Sequence, residues 1–145
     1  MRLSPKLRSG IVGVLRDAVP ELRAVYLHGS RAGDARHATP ASDYDLAFLT
    51  AHGDAPSPTL RYALLARLCE LLGVDHVDLV DAGAAHDHTL LRSILDGDRL
   101  WVRHGDEGEV EAWEAKRLTM ANDWWLGERE LREGYVADLR KRYAS

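Results

Sequence analysis

The sequence predicts an α+β domain: one sheet with helices on one side and a long C-terminal helix added. Two observations point there. Apolar residues recur at helical spacing in four separate stretches, and short β-rich segments bounded by Gly, Pro, Ser and Asp alternate with them. From Glu107 to about Arg140, moreover, nothing but isolated glycines interrupts a helical pattern.

Taken in order, Ser4-Pro5 reads as an N-cap followed by proline at the first helical position. Leu7, Ile11, Val14, Leu15 and Ala18 then make residues 5–18 an amphipathic helix, which Pro20 ends. Arg23 to His28 is β-rich and stops at Gly29-Ser30, a strand running into a tight turn. Residues 31–42 form a polar loop, and Tyr44 to Leu49 a second strand. Pro58 opens a leucine-rich helix with Gly73 as its stop. Val74 to Val80 is the third strand and Ala84 to Leu95 a short helix. Asp96-Gly97 turns into a fourth strand, Arg99 to Arg103, before the last helix.

A chain of 145 residues fits one domain, or one domain with an appended helix. A hydrophobic share of 46% with 29% charged residues is ordinary for a globular protein. The single cysteine, Cys69, excludes an intrachain disulfide and a cysteine metal cluster; its apolar helical setting marks it as a packed thiol. With no signal-like segment and no apolar run near membrane-spanning length, the expectation is a cytoplasmic protein without membrane contact. The formal net charge of −4 supplies no global attraction to nucleic acid.

The chemistry concentrates in Val25-Tyr-Leu-His-Gly-Ser-Arg and Ser42-Asp-Tyr-Asp-Leu46. Gly29 lets backbone N–H groups approach an anion, and the Ser30 hydroxyl adds a donor for a phosphate oxygen. Asp43 and Asp45 stand two apart on a strand, so both carboxylates share a face while Tyr44, Leu46 and Phe48 take the other. Two aligned carboxylates repel unless a cation sits between them, and hard oxygen ligands with room for phosphate suit Mg²⁺. A two-ion site for displacement at phosphorus asks for a third carboxylate. Of Asp75, Asp78 and Asp81, Asp78 lies inside an apolar strand, where an unpaired charge is expensive to bury. Either motif alone is usually a turn or a solvated pair; the order strand, Gly-Ser, loop, Asp-x-Asp strand, Asp strand is what points to function.

On these residues the chain resembles the DNA polymerase β-type nucleotidyltransferase superfamily, and in particular its minimal nucleotidyltransferase (MNT) branch. Gly29-Ser30-Arg31-Ala32, Ser42-Asp43-Tyr44-Asp45-Leu46 and Val77-Asp78-Leu79 match the family pattern, and the likeness continues through Leu90 to Trp101. The 12-residue spacer between Ser30 and Asp43 is longer than the branch's usual one, with the extra length around His37 to Thr39. The resemblance implies a polymerase β-like mixed sheet, with residues 1–105 as catalytic core and 106–145 as a C-terminal helix packing on the core or on a partner. It implies an antitoxin that transfers AMP from ATP to a tyrosine hydroxyl of a HEPN-type toxin, releasing pyrophosphate. Asp43 and Asp45 would hold two Mg²⁺ ions, with Asp78 on the ion that acidifies the acceptor. Gly29 and Ser30 would steady the β- and γ-phosphates, and Arg31 would add charge against the triphosphate.

Two other readings stay open at this level. One is an antitoxin that neutralises its toxin by direct binding, with a vestigial nucleotide site. The other is a small-molecule transferase of the aminoglycoside type, although the chain leaves little room for an acceptor domain. His28 reads as a core-edge residue, His76 as structural or exposed, and His37, His86, His88 and His104 show no zinc spacing. Trp124 and Trp125 point about 100° apart on a helix, so burying both needs a wide contact or a partner.

Overall fold

The computed structural model describes residues 3–33, 38–39, 43–51 and 56–143. Its elements are α1 (Pro5–Ala18), β1 (Leu22–His28), β2 (Tyr44–Thr50), α2 (Pro58–Leu72), β3 (Val77–Asp81), α3 (His88–Asp96), β4 (Asp98–Val102) and α4 (Glu107–Tyr143). Short 3-10 turns follow β1 at Gly29–Arg31 and β3 at Ala82–Ala84. Helices begin where a side chain can satisfy the first free N–H groups. Ser4 accepts from the Leu7 N–H at 3.2 Å and Ser57 from the Leu60 N–H at 3.3 Å, each with proline next in line.

Two elements start more than one residue away from where the sequence reading put them. β3 starts at Val77 rather than Val74. The expected helix from Ala84 is a 3-10 turn followed by α3, because the Asp87 carboxylate accepts from the Thr89 and Leu90 N–H groups at 2.8 and 3.2 Å and so fixes the helix start there. Ser42 and His37, which belong to the family pattern and to the lengthened loop, lie outside the described residues.

The strands form one mixed sheet in the order β3-β2-β1-β4. β1 runs antiparallel to both β2 and β4, while β2 and β3 are parallel and joined through α2. Val25, Leu27, Leu46, Phe48, Val77 and Leu79 face α1 and α2 in the larger core. On the opposite face Tyr26, Ala47 and Leu49 meet Ile94 of α3 and Val110 of α4. The α+β class and the long C-terminal helix are as expected, but helices cover both faces rather than one. β1 is buried along almost its whole length, so each face needs its own apolar cover.

α4 divides into two halves. Val110 and Ala121 are buried, Trp113 lies 6.5 Å from the Tyr26 ring, and Arg99 pairs with Glu114 at 2.7 Å. Arg23 pairs with Asp106 at 3.4 Å and also with Glu109. Further along, His88 stacks on Trp124 with ring centroids 5.4 Å apart, and Arg92 donates to the Asn122 side chain. Beyond this point the helix carries Trp125, Leu126, Leu131, Tyr135 and Tyr143 exposed. No described helix is long and apolar enough to cross a membrane.

The turn from α3 into β4 presses against β1. A Cβ on Gly97 would lie 2.4 Å from the Leu27 carbonyl oxygen and 3.0 Å from the His28 Cα. Those atoms are backbone and cannot swing away. Gly97→Ala is therefore expected to destabilise the chain by about 1–3 kcal/mol, as overpacking does, read as a lower urea midpoint with an unchanged slope.

Candidate active site

All four strands bring one end to the same edge of the sheet: the C-terminal end of β1 and the N-terminal ends of β2, β3 and β4. Register does the rest. His28 on β1 is paired with Asp45 on β2, and Asp45 with Asp78 on β3. Residues directly opposite one another in a sheet project from the same face. A row of His28, Asp45 and Asp78 therefore crosses three strands on the face that carries α3.

Asp43 precedes β2 and His76 precedes β3, and they are level with each other because Tyr44 pairs with Val77. The ligand atoms of Asp43, His76 and Asp78 all lie within 4.8 Å of one another, and the three residues are exposed. His76 Nε2 is 2.9 Å from Asp78 Oδ1.

The electrostatics match this crowding. Burial pushes the Asp45 carboxyl above the ordinary aspartate range. Hydrogen bonding to Asp78 and the negative charges of Asp78 and Asp43 push it further, while His76 opposes them. Without a cation, these carboxylates are held together against their own repulsion. The donor set fits a divalent ion: several hard oxygens from separate strands, open to solvent on the side where phosphate oxygens would complete the shell.

The register brings Asp78 beside Asp45 and Asp43, but it is not buried as the sequence suggested. Asp78 is the second residue of a short strand and its side chain is 53% exposed, so no burial penalty marks it out. Of the rejected candidates, Asp75 is exposed, and Asp81 accepts from the Gly83 N–H at 3.0 Å to close the turn after β3.

Gly29 stands at φ +73°, and a Cβ there would fall 2.2 Å from an Asp45 carboxylate oxygen. The left-handed backbone favours glycine, and any larger residue would also have to push the Asp45 carboxylate aside. Beside it lies an open cleft of about 320 Å³ lined by Gly29, Ala32, Gly33, Ser93, Asp96 and Gly97. Ser30 is exposed next to it. The Gly33 N–H donates to Asp98 at 2.8 Å, which pins the loop to the start of β4. Arg31 folds back: its guanidinium lies 4.1 Å over the Tyr44 ring and donates to the Tyr44 hydroxyl and the Thr39 carbonyl.

Sequence reasoning gave His28 and His76 little weight. His28 is 5% exposed; its Nδ1 is 3.3 Å from the Ser93 hydroxyl, while its buried Nε2 has no hydrogen-bond partner among the described residues. Burial pulls its imidazole below the usual histidine range, against the attraction of the Asp78 charge. The signal for His76 was present in its spacing, two residues before Asp78 just as Asp43 is two before Asp45. Ser93 and Gly97 carry no local motif, and only the fold brings them to the cleft.

Comparison with known proteins agrees with this geometry. The family model described as polymerase beta, nucleotidyltransferase, matches residues 11–105. The protein adenylyltransferase MntA of Shewanella oneidensis is 33% identical over 110 residues, covering 76% of this chain and 73% of that protein. A chain from a crystal structure of a toxin–antitoxin with AMP-PNP superposes with a TM-score of 0.66 and 28% identity, over 91% of this chain and 97% of that one. A chain from the structure of a tri-AMPylated Shewanella oneidensis HEPN toxin in complex with MNT antitoxin gives a TM-score of 0.63 and 26% identity, over 92% and 96%.

The raised Asp45 carboxyl has a consequence for stability. The folded chain holds this proton more tightly than the unfolded one, so stability falls as pH rises from the ordinary aspartate range through the raised value, and the deficit persists at neutral pH. Asp45→Asn is expected to raise the melting temperature at pH 7 in chelator. The gain should vanish below about pH 4, where the unfolded carboxyl is protonated too.

Proposed function

The chain belongs to the polymerase beta nucleotidyltransferase family, and from that premise we propose that it is an antitoxin enzyme that transfers AMP from ATP to a tyrosine hydroxyl of a HEPN-type toxin. The observation that carries this reading is the convergence of Asp43, Asp45 and Asp78 beside the Gly29–Ser30 turn. The adenylyltransferase name of the Shewanella oneidensis relative and the AMP-modified toxin in one related complex support the choice of AMP and of a protein acceptor. A cytoplasmic location goes with ATP as donor.

In this mechanism Asp43, Asp45 and Asp78 hold two Mg²⁺ ions. When bound, the ions supply positive charge that offsets the phosphates and lowers the pKa of the acceptor hydroxyl. Gly29 lets the backbone N–H groups of the turn approach the β- and γ-phosphate oxygens and Ser30 offers its hydroxyl, which keeps pyrophosphate aligned as the leaving group. Arg31, held over Tyr44, contributes positive charge at the rim of the loop rather than a direct grip. The tyrosine oxygen forms its bond to the α-phosphorus as the bond to the β-phosphate bridge breaks, and the hydroxyl proton leaves to solvent.

Residues 1–105 form the catalytic unit in this reading, and residues 106–145 serve two purposes. The first half of α4 seats on the sheet and the second half docks the toxin. The exposed Trp125, Leu126, Leu131 and Tyr135 favour that assignment, since aromatic and leucine side chains on an otherwise polar helix suit a protein interface. This face equally favours a second reading, in which docking alone neutralises the toxin.

One measurement separates these readings, and a second tests the docking that both require. Asp43→Asn combined with Asp45→Asn is expected to lower labelled AMP transfer to the purified toxin by roughly 10³-fold, the scale of losing a group that stabilises the transition state. Equal labelling by the double variant would overturn the enzymatic reading, whereas lost labelling with full protection of cells would favour docking. Trp125→Ala with Leu131→Ala is expected to weaken binding to the toxin by about 2 kcal/mol, near thirtyfold, in titration calorimetry. Unchanged affinity would remove α4 from the interface.

A further inference from the structure

We propose that His76 is a nitrogen ligand of the metal site and that it turns the preference of the site from Mg²⁺ toward first-row transition ions such as Mn²⁺ and Co²⁺. This rests on the carboxylate metal site proposed above and adds the donor that decides which ion the site favours.

Register is the first ground. Tyr44 pairs with Val77 and Asp45 with Asp78, so His76 stands level with Asp43 at the mouth of the sheet edge. The parallel β2–β3 pair thus presents two donors from each segment, Asp43 and Asp45 against His76 and Asp78. Distance is the second ground. His76 Nε2 and Asp78 Oδ1 are 2.9 Å apart, and both lie within 4.8 Å of an Asp43 oxygen. Adjacent ligands on an octahedral ion with bonds of 2.0–2.1 Å are about 3.0 Å apart, so the existing spacing needs almost no adjustment to become one edge of a coordination shell. The third ground is access. The His76 and Asp78 side chains are 62% and 53% exposed, so no packed side chain has to be displaced for an ion to enter.

Chemistry then sets the preference. Mg²⁺ favours oxygen donors and water, whereas an imidazole nitrogen raises affinity for Mn²⁺ and, more steeply, Co²⁺. A simpler role is a hydrogen bond that orients Asp78 without touching the ion. The two roles differ in one observable: orientation of Asp78 serves every ion alike, while a nitrogen ligand discriminates among them.

The test is equilibrium binding of Mg²⁺, Mn²⁺ and Co²⁺ to the nucleotide-free full chain, by titration calorimetry and by the visible absorption of Co²⁺. Wild type, His76→Ala, His76→Gln and Asp43→Asn are compared, with helical content checked by circular dichroism. His76→Ala is expected to weaken Co²⁺ binding about tenfold or more while changing Mg²⁺ binding less than roughly twofold, with the Co²⁺ bands shifting as the nitrogen donor is lost. His76→Gln should behave like His76→Ala. Equal weakening for all three ions, or no change for any of them, would overturn the proposal while leaving the carboxylate site standing. Undiminished binding of every ion by Asp43→Asn would instead sink the metal site itself.

Discussion

The structure turns on the enforced proximity of like charges. Asp45 and Asp78 are neighbours because β2 and β3 pair in parallel at that register, and Asp43 joins them from the residue before β2. Nothing in that arrangement favours folding by itself: the carboxylates resist one another, and burial first, then their charges, makes Asp45 hold its proton more tightly. The apolar packing behind the edge must supply the stability that keeps them together. Leu46, Phe48, Val77 and Leu79 alternate with the acidic positions and are buried against α1 and α2. The same two-residue period that lines up the acids on one face lines up the core on the other.

The opposite end of the design is α4, where one continuous helix passes from a fastened to a bare condition. Its first turns are tied down by charge pairs from Arg23 and Arg99 and by packing of Val110 and Trp113. Beyond the stacking of His88 on Trp124, large apolar side chains face outward. A helix of this length gains little from intrinsic propensity beyond its packed part. The exposed stretch therefore has the composition of a surface that something else covers.

How much of this was legible in the sequence depended on whether the cause was local. Helix starts at Pro5 and Pro58 were readable because Ser-Pro is a local signal. The Gly-Ser turn and the Asp-x-Asp pair were readable for the same reason. Asp78 was singled out on a mistaken premise: the expected strand began three residues too early, so a position near the sheet edge looked like mid-strand and a solvent-exposed acid looked buried. The covering of both sheet faces was missed, although the unbroken apolar run Ala-Val-Tyr-Leu in β1 implied it. His28, Ser93 and Gly97 were out of reach because their meeting joins β1 to α3 and the turn before β4, with His28 and Ser93 standing 65 positions apart in the chain.

The parallel join between β2 and β3 also governs when activity can arise. Asp43 and Asp45 lack Asp78 until the intervening helix has been made, folded back and docked. A chain arrested during synthesis before Val77 would lack the third carboxylate of the proposed centre, and one whose third strand slips by a single residue would turn that acid to the wrong face. If the proposed centre is the working one, chemistry is withheld from immature molecules, and competence to react certifies that assembly of the sheet is finished.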